Sequence, residues 1–274
     1  IGAGQFGTAI SNSLALNKGN RVKLFSHNFK KVDDINSNNR NSLIYPNTVL
    51  NDSVSAVNDF TLLKNYKVIF LAIPSFAISS FLNNNKSFIT DNTLIVNLAK
   101  GLIAADMTVI DLIKELIPNS RVASMKGPSF AIELLNGSNT LFTFASKDIE
   151  DFELINSISS KTNLFYDYTK DIKGVEILSV LKNIYAILVG YIDVKYNSSN
   201  TRFLILTKAF GELKILLDEF HCNKDTINLA CGFVDLGLTS LNDLSRNRTL
   251  GILMGKGFYN ANNNVVLEGK NPCK

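Results

Sequence analysis

Short, nearly continuous apolar runs rich in β-branched and aromatic residues recur over the first 170 or so positions, at 21–26, 67–73, 93–98, 121–125, 140–145 and 164–168. Runs of this kind suit strands buried on both faces of a parallel sheet. Helical spacing of apolar residues fills the intervals, including 107–116 and 128–135, the latter with Pro128 at a first helical position and Gly137 as its cap. Strand and helix in alternation predict a doubly wound α/β sheet. Beyond about Asp171 the two-residue period disappears, and helices are predicted over 172–192, 201–220 and in shorter pieces from Asp225 onward. Asn-rich stretches at 83–85 and 262–264 are assigned to surface loops or helix ends, and no internal repeat is evident.

The chain opens Ile1-Gly2-Ala3-Gly4-Gln5-Phe6-Gly7, and an apolar helical stretch, 8–16, follows at once. At a strand-to-helix turn this G-x-G-x-x-G spacing has a mechanical meaning. Gly2 permits the tight turn, Gly4 lets a pyrophosphate approach the backbone, and Gly7 allows close packing of helix on strand, with phosphates at the helix N-terminus. The expected fold is therefore a Rossmann-type dinucleotide-binding domain over residues 1–170 and an all-α domain, shortened at its end, over 171–274. A domain of this type normally has most of its first strand before the glycine turn, so the chain reads as truncated at its start.

Composition narrows the function classes. Apolar residues at 46% and charged residues at 19% describe a globular protein, and 28 Lys plus Arg against 24 Asp plus Glu give a mild +4. That excess fits an anionic small-molecule substrate and lacks the basic clusters of a nucleic-acid binder. Cys222, Cys231 and Cys273 have no C-x-x-C spacing, which argues against a disulfide framework or a zinc site and fits a reducing cytoplasm. The most apolar stretch, 177–192, is interrupted by Lys182 and Asn183, so no membrane insertion is expected.

Several positions carry candidate chemistry. Ala72-Ile73-Pro74-Ser75 and Asn97-Leu98-Ala99-Lys100-Gly101 each end an apolar strand, where ligands of open α/β folds lie; simple strand termination and a solvated Lys100 are the plain alternatives. Gly127-Pro128-Ser129-Phe130-Ala131 joins a strand to a helix, either as turn chemistry or as backbone donors beside a ligand. Lys182 sits among apolar residues that surround its helix almost completely, which implies burial. Burial lowers an ammonium's pKa and fits it to trade a proton with a reacting oxygen; the alternative is a lysine that snorkels to solvent. Asp235 and Thr239, four apart, share a helix face. Ser245 as an N-cap would put Arg246 beside unsatisfied first-turn amides, a fit for a phosphate monoester or mere capping with a surface Arg.

Taken in order, GAGQFG, AIPS, AKG, GPSFA-x-E, G-x-E-x-x-x-x-LKN and SRN-x-x-x-G resemble the bacterial NAD(P)-dependent glycerol-3-phosphate dehydrogenases across essentially the whole chain. The stretches 174–190 and 235–247 are its most specific parts. The resemblance implies hydride transfer between nicotinamide and the secondary alcohol carbon of sn-glycerol 3-phosphate, giving dihydroxyacetone phosphate for glycerophospholipid synthesis. It implies Lys182 as catalytic acid/base, with Lys100, Gly127, Ser129, Asn183, Asp235, Thr239, Ser245, Arg246 and Asn247 at the substrate. Gly2, Gly4, Gln5, Phe6, Gly7, His27, Pro74, Lys100, Ala131, Arg246 and Glu268 would serve the cofactor, with no metal. A cytoplasmic homodimer is implied as well.

Departures from the family pattern are Lys126 in place of a small hydroxyl residue, Ala209 and Val234 in place of glycines, and 191–200 in place of a glycine-rich loop. Any replaced glycine that used positive φ would leave strain near the site. A non-catalytic dinucleotide-binding remnant and a related two-domain hydroxyacid dehydrogenase are thus the competing readings. Phe25-Ser26-His27-Asn28 offers neither an acid for a ribose hydroxyl nor an Arg for a 2′-phosphate, and NAD is preferred over NADP.

Overall fold

The computed structural model describes residues 1–104 and 107–258. Strands β1 (Val22–Phe25) and β2 (Val54–Val57) form a parallel pair, and β3 (Val68–Leu71), β4 (Leu94–Asn97), β5 (Arg121–Lys126), β6 (Thr140–Ser146) and β7 (Leu164–Thr169) form a sheet in that order. Ile1 and Gly2 bridge the two: the Ile1 amine donates to Phe70 O at 2.6 Å, Ala72 N to Ile1 O at 2.9 Å, and Gly2 N to Phe25 O at 2.9 Å. The sequence pattern misses β2, whose Val-Ser-Ala-Val buries alternate residues but contributes only two large side chains.

The sheet is mixed rather than all parallel, because β6 runs antiparallel to β5. Helix α5 (Ala131–Leu135), which joins them, has five residues. The 127–139 connection holds this one short helix, and β6 sets off from the end at which β5 finishes, Lys126 pairing with Thr143 and Ala123 with Ser146. Pro128 is also not at a first helical position. Residues 127–130 form a bend in which Ser129 Oγ donates to Gly127 O and Phe130 stays extended, so α5 starts at Ala131. Gly137 does end it, at φ 87° with its N–H donating to Leu134 O.

Helices α1 (Gln5–Leu14), α2 (Phe29–Asn38), α3 (Ser75–Asn85), α4 (Val109–Leu116) and α6 (Ile149–Ile158) accompany the sheet. Alternation along β4 shows both of its faces covered. Ile95 joins a cluster with Ile78, Leu82 and Ile113, whereas Leu94 and Val96 join one with Ala9, Ile10 and Phe144. Helix α4 begins with a capping box, Thr108 and Asp111 each accepting the other's backbone N–H, which satisfies donors the first turn would leave bare.

Beyond Thr169 the described residues contain no strand. Helices α7 (Ile172–Tyr196), α8 (Ser199–Glu219), α9 (Asp235–Leu241) and α10 (Arg246–Gly255) follow, with a π turn at Ala230–Val234. By length and composition α7 is able to cross a membrane, but 61% of its most apolar window is buried inside the fold. Val175 and Leu178 enter the core with Ile95, while Ile184, Leu188 and Tyr191 leave an exposed stripe where the sequence suggests burial all round. Against α7 lies α10, brought close by glycine: a Cβ on Gly251 would stand 1.9 Å from Ile187 O, and one on Gly190 2.3 Å from Arg248 O.

Candidate active site

The glycine turn has the geometry its spacing demands. Gly2 adopts φ +102°, a conformation L side chains rarely hold, and a Cβ on Gly7 would stand 1.9 Å from Gly2 O. Gly4 is the N-cap of α1 with no side chain to bond the first-turn amides, and a Cβ there would meet open space. Donors and helix dipole thus face an unfilled approach, which fits a dinucleotide pyrophosphate. Gly2 packs against Ala72 O, and a Cβ on Gly101 would stand 2.3 Å from Ser75 Oγ. The glycine turn, the Ala72–Ser75 turn and the Leu98–Gly101 turn therefore stand side by side at the C-terminal ends of the strands.

Around that edge Gln5 is exposed at the start of α1, and half-buried Phe6 meets Phe142 edge-on at 6.2 Å. His27 and Pro74 are exposed in the turns after β1 and β3, and half-buried Ala131 begins α5. Lys31, which sequence reading overlooked, folds back from α2 so that its ammonium donates to Ala3 O at 2.9 Å. Only its place on the helix, one turn past the strand end, brings it over the glycine loop. Glu268 lies outside the described residues.

From the next turn Lys100 reaches across to the helical half. Its ammonium donates to Gly127 O at 3.1 Å and to Asp235 Oδ2 at 3.3 Å. The other Asp235 oxygen accepts from Lys182 Nζ, and Lys182 also donates to Thr239 Oγ1 at 3.0 Å, itself 3.2 Å from Asp235 Oδ1. Lys182 is 3% and Asp235 1% exposed, so the snorkelling alternative does not apply. Burial pulls the Lys182 pKa down to about 7, with repulsion from Lys100 acting the same way and attraction to Asp235 opposing. Asp235 is presented by the π turn, which docks on the sheet: Ala230 N donates to Asp167 Oδ2 and Cys231 N to Thr143 Oγ1, both at 2.9 Å.

Ser245 is the N-cap of α10, its hydroxyl accepting from Arg248 N. Arg246 is exposed in the first turn, and Asn247 is 7% exposed with a buried Oδ1 that has no partner. An orphaned buried acceptor beside first-turn amides suits a ligand that brings its own donors. Arg248 ties this turn to both neighbouring helices, donating to Asp193 on α7 and to Ser240 O on α9. Arg202 holds the same Asp193 carboxylate at 2.6 Å. Sequence reading passed over this network because nothing in the spacing of 193, 202 and 248 reveals that one carboxylate serves two guanidiniums. Asn183 is buried and turned to Ser179 O at 3.4 Å, while Ser129 folds over Gly127 O at 3.2 Å.

The replaced glycines cause no strain. Val234 has φ −68°, and Ala209, within α8, is absent from the positive-φ residues. Asn197, which ends α7 at φ 42°, belongs to the residue type that best tolerates that conformation after glycine. A cavity of about 360 Å³ between β1 and β3, lined by residues such as Leu24, Val68 and Phe70, lies away from these lysines.

Residues 1–152 match the family described as "NAD-dependent glycerol-3-phosphate dehydrogenase N-terminus", and residues 171–274 match its C-terminus. The glycerol-3-phosphate dehydrogenase [NAD(P)+] of Methanothermobacter thermautotrophicus is 33% identical over 258 residues, 93% of this chain and 79% of that protein. The enzyme of the same name from Neorickettsia sennetsu is 31% identical over 98% of this chain and 80% of its own length. Among solved structures, the glycerol-3-phosphate dehydrogenase of Coxiella burnetii superposes with a TM-score of 0.86 at 28% identity, covering 93% of this chain and 79% of that one.

Proposed function

Since this chain belongs to the NAD-dependent glycerol-3-phosphate dehydrogenase family, we propose that it interconverts sn-glycerol 3-phosphate and dihydroxyacetone phosphate with Lys182 as its general acid and base. The observation that carries the assignment is the buried ammonium of Lys182 sharing the Asp235 carboxylate with Lys100. The glycine turn would hold a nicotinamide dinucleotide, which would supply or accept the hydride. Residues 1–170 would hold that dinucleotide and residues 171–274 the substrate.

In the reducing direction Lys182 donates a proton to the carbonyl oxygen, becoming a neutral amine; in the oxidising direction the amine takes the hydroxyl proton back. Asp235 and Thr239 aim its nitrogen, and Lys100 draws electron density toward the same oxygen. Arg246 and the α10 amides grip the phosphate, spending remote binding energy on alignment of the reacting carbon, while Asn247 Oδ1 is placed to accept from a substrate hydroxyl. The same family membership supports a cytoplasmic homodimer that feeds glycerophospholipid synthesis, with α7 as a core helix rather than a membrane span.

Between the two dinucleotides, NAD is preferred from the strand end, and Lys31, whose ammonium donates to Ala3 O, is the group that would favour the 2′-phosphate of NADP. Comparing NADPH with NADH in wild type and Lys31→Ala tests this; an unchanged ratio sinks the role of Lys31. The main assay is dihydroxyacetone phosphate-dependent oxidation of NADPH and NADH. Equal rates from wild type and Lys182→Ala would falsify the lysine's role, and dinucleotide binding without turnover would establish the remnant reading. Arg246→Ala should depress turnover of the phosphorylated ketone roughly a hundredfold, in line with removal of a charged hydrogen-bonding partner, while leaving unphosphorylated dihydroxyacetone unaffected. Equal losses on both would favour a hydroxyacid dehydrogenase.

A further inference from the structure

Beneath the substrate site lies a buried ion pair that the reaction leaves unused. Lys126, the last residue of β5, is fully buried. Its ammonium stands 2.9 Å from Glu176 Oε1 and donates to Asn97 O at 2.9 Å. The Glu176 carboxylate, on α7, also accepts from Asn97 Nδ2 at 2.9 and 3.0 Å and from Ser124 Oγ. Asn97 in turn fixes the turn that follows it, its Oδ1 accepting from Ala99 N at 2.9 Å. One ion pair therefore joins the ends of β4 and β5 to the first half of α7.

Those three elements carry the site. Lys100 is three residues past Asn97, Gly127 adjoins Lys126, and Lys182 is six residues along α7 from Glu176. Such a pair is an odd choice for stability alone, since well-packed neutral residues of similar volume serve as well or better. Burial lowers the Lys126 pKa most, nearby Lys100 adds repulsion, and Glu176 opposes both.

We propose that Lys126 is a positioning residue: held between the Glu176 carboxylate and the Asn97 carbonyl, it sets the end of β4 against α7 and thereby the placement of Lys100 and Lys182 on Asp235. The inference rests on the dehydrogenase reading. A displacement of about 1 Å at reacting groups costs on the order of a hundredfold in rate, so the effect is measurable.

The test is the neutral, volume-matched double variant Lys126→Met/Glu176→Gln, compared with wild type for thermal midpoint, kcat, and KM of dinucleotide and ketone. Lys126→Met alone strands a buried carboxylate and is expected to unfold more readily, so it serves only as a reference. The expected result is a double variant that keeps the wild-type midpoint and dinucleotide KM while its kcat falls tenfold or more. A stable double variant with kcat within twofold of wild type overturns the proposal. So does a loss of kcat that merely follows a lowered midpoint, or failure of the double variant to fold, because the pair would then serve the fold. Wild type without turnover refutes the dehydrogenase reading and this proposal together, whereas an active wild type equalled by the double variant refutes this proposal alone.

Discussion

Two ammonium groups on one buried carboxylate make an unsymmetrical pair, because Lys182 is 4% and Lys100 16% exposed at the side chain. Burial lowers the pKa of the deeper lysine, Lys182, to about 7. If it is the proton carrier, ketone reduction needs it charged and should decline as pH rises through that value, whereas glycerol 3-phosphate oxidation needs it neutral and should climb over the same range. Initial rates in both directions between pH 6 and 9 check this. Parallel profiles in the two directions would show that another group titrates. Lys182→Ala should lower kcat by about 10²- to 10⁴-fold, the usual worth of a positioned acid or base, and abolish the opposed slopes. Asp235→Asn keeps the shape but leaves the buried Lys182 and the half-buried Lys100 facing each other uncompensated, so its loss should be of similar size.

At the scale of elements, the placement of α10 against α7 depends on the glycine at their crossing. A methyl on Gly251 would meet Ile187 O at 1.9 Å and Tyr191 N at 2.9 Å, both backbone atoms that cannot swing aside. Gly251→Ala should therefore shift α10 as a body and raise the KM of the phosphorylated substrate more than that of the dinucleotide, measured by steady-state kinetics; equal effects on both would point to general destabilisation. Ser245→Ala removes only the cap and should cost about 1 kcal/mol in denaturant unfolding. Helix α7 needs no such device on its inner side, where Val175, Leu178, Ala186 and Val189 fill the core, and Leu178→Ala should cost about 2–5 kcal/mol.

Across the whole molecule, the glycine turn proposed for the dinucleotide belongs to the sheet half and Lys182, the proposed proton carrier, to the helical half, so binding and chemistry should separate. NADH at a hundred times its Kd should stabilise wild type and Lys182→Ala alike by about 2.7 kcal/mol, read as a thermal shift. A variant that loses the shift along with its activity would show that the lysine also builds the dinucleotide site. Much of this plan was legible in the chain itself. Glycine spacing specifies a turn because only glycine tolerates φ +102° at Gly2 and the contact at Gly7. A lysine inside an apolar helix announces burial, and the four-residue offset of Asp235 and Thr239 announces a shared face, because both follow from local helical periodicity. Tertiary structure alone decided the rest. The reversal of β6 depends on a strand pairing made only in the fold, and the roles proposed for Lys31, Lys126 and Glu176 and the bridging of Asp193 depend on partners as far as 79 positions away. Periodicity carries information over a few turns of chain; it cannot say which distant oxygen a buried cation will find once the layers close.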